Sequence, residues 1–165
     1  MLSSYDIEVL CDKLELPLVG VYSKDKLPKE REVGSYYINL QNDADGDGTH
    51  WVLAKIYCDK EREENKVRGG KDLICNALYF DSFGVSPPIE VVEFLKPFKP
   101  IKINTKQIQS VNTSQCGWFC LMCDYTLEHQ KYFPSYEKDY NTFINSWSNN
   151  PIDNLVILKN RFKKL

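Results

Sequence analysis

A cysteine that follows a polar, turn-prone approach and opens an apolar run at helical spacing is placed to react. The stretch QIQSVNTSQCGWFCLMCDYTL, from Gln107 to Leu127, puts Cys116 at such a point, in the first turn of an expected helix. Unpaired backbone N–H groups and the positive end of the helix dipole favour thiolate there, drawing a cysteine pKa from about 8.5 toward roughly 3.5–7.5. Gln109, seven residues upstream, offers an amide donor to an oxyanion near the same place. A thiolate nucleophile also needs a base and a group that orients the base. Residues 49–58 (THWVLAKIYC) and 75–82 (CNALYFDS) read as the two clearest strands. Alternation puts His50, Val52, Ala54 and Ile56 on one face of the first, and Cys75, Ala77, Tyr79 and Asp81 on one face of the second. An antiparallel register with His50 opposite Asp81 and Val52 opposite Tyr79 brings a histidine to a carboxylate at the open end of the hairpin. Together these residues form a Cys-His-acid nucleophile system.

Other chemistries fit less well. Cys116, Cys120 and Cys123 with His129 could be written as a zinc site, but His129 falls on the wrong side for closure and there is no second ligand pair. Cys120 and Cys123 read instead as helix packing against the sheet. Residues 42–48 (NDADGDG) invite a calcium loop, yet a loop begun at Asp43 puts Ala54 where a bidentate Glu is needed, so the segment reads as a polar turn. No metal or cofactor is expected.

The 165 residues suit one domain, 1–165, large enough to bury a core without covalent staples. No run approaches the roughly 18 apolar residues of a membrane span, and the first residues lack the pattern of a secretory leader. The six cysteines are therefore expected to stay reduced, as in a cytoplasm or nucleus. A net charge of −2 gives no global field for nucleic acid, and Lys96–Lys102 and Lys159–Lys164 read as solvated faces.

The remaining elements position the candidates. A helix over residues 3–14 carries Ile7, Leu10, Cys11 and Leu14 on one stripe. Residues 16–22 are extended, and 35–40 form a strand. The charged segment 59–71 is a loop. A short helix with proline in its first turn spans 87–95, a strand 100–104, and two closing helices 136–147 and 150–165, the last with Asn150 as cap and Pro151 behind it.

Three blocks in this order carry a resemblance: Gly48 to Leu53 (GTHWVL), Leu78 to Gly84 (LYFDSFG), and Gln109 followed by Cys116 to Cys120 (CGWFC). They resemble the signature blocks of the adenain family, the adenovirus-type maturation proteases, and of the related SUMO- and ubiquitin-like-protein-specific proteases. The resemblance covers roughly residues 3–130. It implies an α+β, papain-like but circularly permuted fold, a sheet packed on helices with the nucleophile at a helix N-terminus. It also implies His50 as general base, Asp81 as orienting acid, Cys116 as nucleophile and Gln109, rather than Gln107 or Gln115, as oxyanion donor. Trp51 and Trp118 flank the catalytic pair as groove walls or as packing. The chain departs from adenain in having Asp at the acid position and no cysteine in Lys96–Lys102 to tether a peptide activator. Its compact form suits small DNA viruses, virophages or related transposons. The implied activity is cleavage of viral capsid or core precursor proteins during virion maturation, after small residues such as glycine, in the virion or the host cytoplasm or nucleus. The alternatives are an isopeptidase acting on ubiquitin-like proteins and a catalytically silent binding module. Residues 67–70 (VRGG) read as a turn or as an autocleavage site of the tail type such enzymes cut.

Overall fold

The computed structural model describes residues 1–46, 49–58, 75–130 and 135–165. Five strands form one mixed sheet: β1 (Leu18–Ser23), β2 (Gly34–Asn39), β3 (Trp51–Cys58), β4 (Cys75–Phe80) and β5 (Ile101–Ile103). They lie in chain order, β1 parallel to β2, β2 to β3 and β3 to β4 antiparallel, and β4 parallel to β5. The helices are α1 (Ser4–Lys13), α2 (Ile89–Leu95), α3 (Cys116–His129), α4 (Tyr136–Asn145) and α5 (Pro151–Lys163). The expected α+β arrangement is present, with the Cys116 helix packed on the central sheet.

Every residue of β3 is buried, because both faces of the sheet are covered. Val52, Ala54 and Ile56 pack with Val91, Phe94 and Leu95 of α2 on one side. Trp51, Leu53 and Tyr57 pack on the other with Phe119, Cys120 and Leu127 of α3. The period of two thus separates two cores along a single strand. Local signals hold the ends of two helices. Ser3 caps α1 in a reciprocal capping box with Asp6, and Asn150 accepts from the Ile152 N–H ahead of α5 with Pro151 in its first turn.

Lys55 is the exception to the apolar pattern of β3. It points at α3 and is almost fully buried. Its ammonium donates to Ser35 Oγ at 2.8 Å and Asp124 Oδ1 at 2.9 Å, and meets Glu128 Oε2 at 2.7 Å, so all three protons are used. Asp124 in turn accepts from Ser35 Oγ and from Tyr37 Oη, both at 2.9 Å. Burial opposes the charge on Lys55, but Asp124 and Glu128 outweigh it and raise its pKa further.

Some expectations change. The β3–β4 register pairs Leu53 with Phe80 and Ala54 with Tyr79, two residues from the one in which Val52 faced Tyr79 and His50 faced Asp81. A two-residue slip preserves the faces, so His50 and Asp81 still meet, from positions just beyond the two strand ends. Pro88 stands at the N-cap of α2 instead of inside its first turn, and α4 ends at Asn145, short of Trp147. The cysteines are not all thiols: Cys58 and Cys75 are register partners at the far end of the hairpin and form a disulfide. Segment 59–71, with the 67–70 turn or cleavage reading, lies outside the described residues, as do Asp47 and Gly48 of the polar turn. No helix among the described residues is long and apolar enough to cross a membrane.

Candidate active site

Cys116 is the first residue of α3, directly after Gln115 at the N-cap. No side chain caps this helix end, so the thiol lies among the unpaired N–H groups of the first turn. Gly117 lets the helix start sit close beneath its neighbours: a Cβ there would come within 3.0 Å of Leu2 Cδ1 and 3.4 Å of Trp51 Cδ1. The Trp51 backbone N–H donates to Cys116 Sγ at 3.4 Å, a contact that the residue types alone did not disclose.

His50 precedes β3, and its Nε2 lies 2.7 Å from Asp81 Oδ1. The ring also lies close enough to Cys116 for each group to shift the ionisation of the other. Phe83 stacks on the imidazole, centroids 4.5 Å apart and planes at 17°. Asp81 is held in its own right. Its Oδ1 also accepts from the Phe83 N–H at 2.8 Å, and Asn104 clamps its peptide, accepting from the Asp81 N–H at 3.0 Å and donating to its carbonyl at 2.7 Å. The turn after Asp81 closes through the Gly84 N–H to the Asp81 carbonyl. Gly84 has φ +74°, and a side chain there would meet the Thr105 and Lys106 carbonyls below 3 Å. The sequence assigns no role to Asn104 or Phe83; Phe83 stands there only within the block 78–84 (LYFDSFG), directly behind Asp81.

The environment sorts the free thiols. Burial pushes Cys11 up to about 12 and Cys120 and Cys123 well above the ordinary range. Burial acts upward on Cys116 too, but the His50 hydrogen bond, the Trp51 N–H, the His50 charge and the Gly117 N–H outweigh it and bring the thiol down. Burial would lower His50, yet its bonds to Asp81 and Cys116 and their charges raise it to about 9. The two shifts act in the same sense, toward a thiolate–imidazolium pair. It is lost upward as the pH passes about 9 and His50 deprotonates, and downward as the pH falls through the depressed Cys116 value. Iodoacetamide should accordingly alkylate Cys116 at lower pH than a free thiol, while Cys11, Cys120 and Cys123 stay unmodified in the folded chain. Peptide mapping by mass spectrometry across pH checks this; a Cys116 rate that falls tenfold per pH unit directly below about 8.5 would contradict it.

Gln109 is nearby but engaged. It is buried, its Oε1 accepts from Ser82 Oγ at 2.5 Å, and its Nε2 donates to the Thr113 carbonyl at 3.0 Å and Thr113 Oγ1 at 2.9 Å. The Ser82 carbonyl also accepts the N–H groups of Ile108 and Gln109, each at 2.8 Å. Ser82, the residue after Asp81, thus anchors Gln109, whose Nε2 bonds go to Thr113. Gln107 is turned to the Gln109 carbonyl and Gln115 to the Ser114 N–H. Trp51 is 2% exposed, a core residue whose Nε1 donates to the Leu2 carbonyl. Trp118 is half-buried, edge-on to Phe162 of α5. His129 lies apart from the cysteines, against the Leu14 and Glu15 carbonyls, and no metal-holding cluster occurs among the described residues.

No known protein-family profile and no curated protein matches the chain. Among solved structures it is similar to the ASFV pS273R protease. One structure, of the selenomethionine form, is 22% identical with a TM-score of 0.40, covering 68% of this chain and 40% of that one. Another is 21% identical with a TM-score of 0.37, covering 64% and 36%. The chain spans about two fifths of the length of these structures.

Proposed function

We propose that the chain is a cysteine endopeptidase in which Cys116 is the nucleophile, His50 the general base and acid, and Asp81 the group that orients His50. The observation that carries this reading is the sorting of the thiols. Of the free cysteines described, Cys116 alone is drawn below the ordinary thiol range, and it is the one that opens a helix, beside a histidine that is itself 2.7 Å from a carboxylate.

The thiolate of Cys116 attacks the scissile carbonyl carbon, and the carbonyl π pair moves to oxygen. The Cys116 N–H, and one Gln109 amide proton released from Thr113, receive that oxyanion. The tetrahedral species collapses by breaking the C–N bond, and Nδ1 of His50 supplies the proton to the leaving amine. His50, now neutral, takes a proton from water as the water attacks the thioester, so that acid is released and the thiolate–imidazolium pair returns. Asp81 holds the imidazolium throughout and Phe83 covers its ring.

The substrates in this reading are structural precursor proteins of a DNA virus or related element, cut during maturation. The order of the His50, Asp81, Gln109 and Cys116 blocks supports that assignment. The test is incubation of the full chain with a proteome-derived peptide pool, with new termini read by mass spectrometry. New termini with a common residue pattern, abolished once Cys116 carries one equivalent of iodoacetamide, are expected. A reactive Cys116 that generates no new termini in any peptide would sink the proposal.

A further inference from the structure

On the α5 side of the nucleophile lies an open cleft of about 380 Å³. Trp118, Leu155, Leu158 and Phe162 form its apolar floor, and the exposed Lys159 and Lys163 stand at its rim. Neither lysine has an ion pair among the described residues. Gln115, the residue before Cys116, closes the end nearest the nucleophile.

A second, smaller cavity lies near the first. Leu155 also lines a cavity of about 140 Å³ with Ser110, Thr113, Phe119, Pro151 and Ile152. Both cavities have Leu155 in their walls and residues of the loop 110–115 that leads to Cys116 in their linings, and the smaller one touches Thr113, which holds the Gln109 amide. Along the same helix Ile152 is 72% exposed and Val156 61% exposed. An open cleft with an apolar floor, lined at one point by the residue before Cys116, marks a place where another chain binds. Its volume fits one bulky side chain of a peptide, and its cationic rim fits acidic side chains beside it.

We propose that this cleft is a recognition groove for the substrate, taking a bulky apolar side chain over Trp118 and Phe162 with an acidic neighbour at Lys159 and Lys163. The inference rests on the protease reading for the identity of the occupant. It adds a specificity that the Cys116, His50 and Asp81 chemistry does not itself require: apolar-acidic segments on the α5 side of the bond to be cut.

The experiment separates binding from cleavage. A pool of random octapeptides is panned on the immobilised full chain carrying Cys116→Ala, and enriched peptides are measured by fluorescence anisotropy. Enrichment of Leu, Met, Phe or Trp next to Asp or Glu is expected. The double charge reversal Lys159→Glu with Lys163→Glu, both on the exposed face of α5, should remove the acidic preference and weaken the selected peptides by about fivefold. That difference should shrink with salt. The reversal Lys96→Glu with Lys99→Glu, in the other basic cluster, should leave binding unchanged. Absence of apolar-acidic enrichment, or equal weakening by the two reversals, overturns the proposal. Since the panned chain lacks its thiol, selected peptides that bind but are not cut by the wild-type chain count against the protease reading and leave the groove standing.

Discussion

Asp81→Asn is expected to lower kcat by on the order of 10³-fold, and Cys116→Ala to abolish peptide cleavage altogether. Asparagine keeps the shape of Asp81 and can still accept from the Phe83 N–H, so the turn that ends at Gly84 has no reason to move. What disappears is the negative charge 2.7 Å from His50 Nε2. Burial then acts against the imidazolium with much less opposition, and the His50 pKa falls from about 9 toward or below its ordinary 6.5. The sign for Cys116 is the reverse. Losing a cationic neighbour at neutral pH, the thiol rises toward the range burial imposes on it, and its alkylation profile moves to higher pH. Steady-state kinetics on a cleaved peptide and the iodoacetamide profile check the two halves separately. Full activity with an unmoved profile would show that Asp81 does not act through His50.

Lys55→Met is expected to cost about 3–5 kcal/mol of stability, near the upper end for single substitutions. The cost comes less from the lost attraction than from what remains: Asp124 is fully buried, with Ser35 and Tyr37 as neutral donors and no cation to balance it. For a chain of 165 residues this corresponds to a fall of about 10 °C in Tm. Thermal unfolding followed by circular dichroism is the measurement, and a change of a degree or two would mean that the network is not needed to hold α3 on the sheet. The same network fixes Cys116 at a distance. Asp124 and Glu128 lie further along the helix that begins with Cys116, while Lys55 shares its strand with Trp51, whose N–H reaches the sulfur.

Much of the site was legible because its parts sit where local chemistry is loud. Cys116 follows a polar approach and opens an apolar helix. His50 and Asp81 flank two strands rich in β-branched and aromatic residues, so the alternation put them on one face even though the pairing itself was off by two. That error arose in the connection between β3 and β4, too long for turn chemistry to set the register. Lys55 was not legible. A lysine within a strand ordinarily marks a solvent face, and its partner Asp124 is 69 residues away; nothing local announces such a pair. Asn104 was invisible for a similar reason, since its clamp on the Asp81 peptide spans 23 residues and depends on β5 lying beside β4. The state of Gln109 illustrates a third limit. Its position before Cys116 could be read, but the direction of its amide depends on Ser82 and Thr113 hydroxyls that approach from two other segments.

The Cys58–Cys75 bridge bears on how any processing of this chain would be observed. A peptide bond hydrolysed anywhere between those two residues, the 67–70 sequence included, would leave both fragments covalently joined. The nicked molecule would gain one water in mass, present a new amino terminus, and migrate as a single band until a reductant divided it in two.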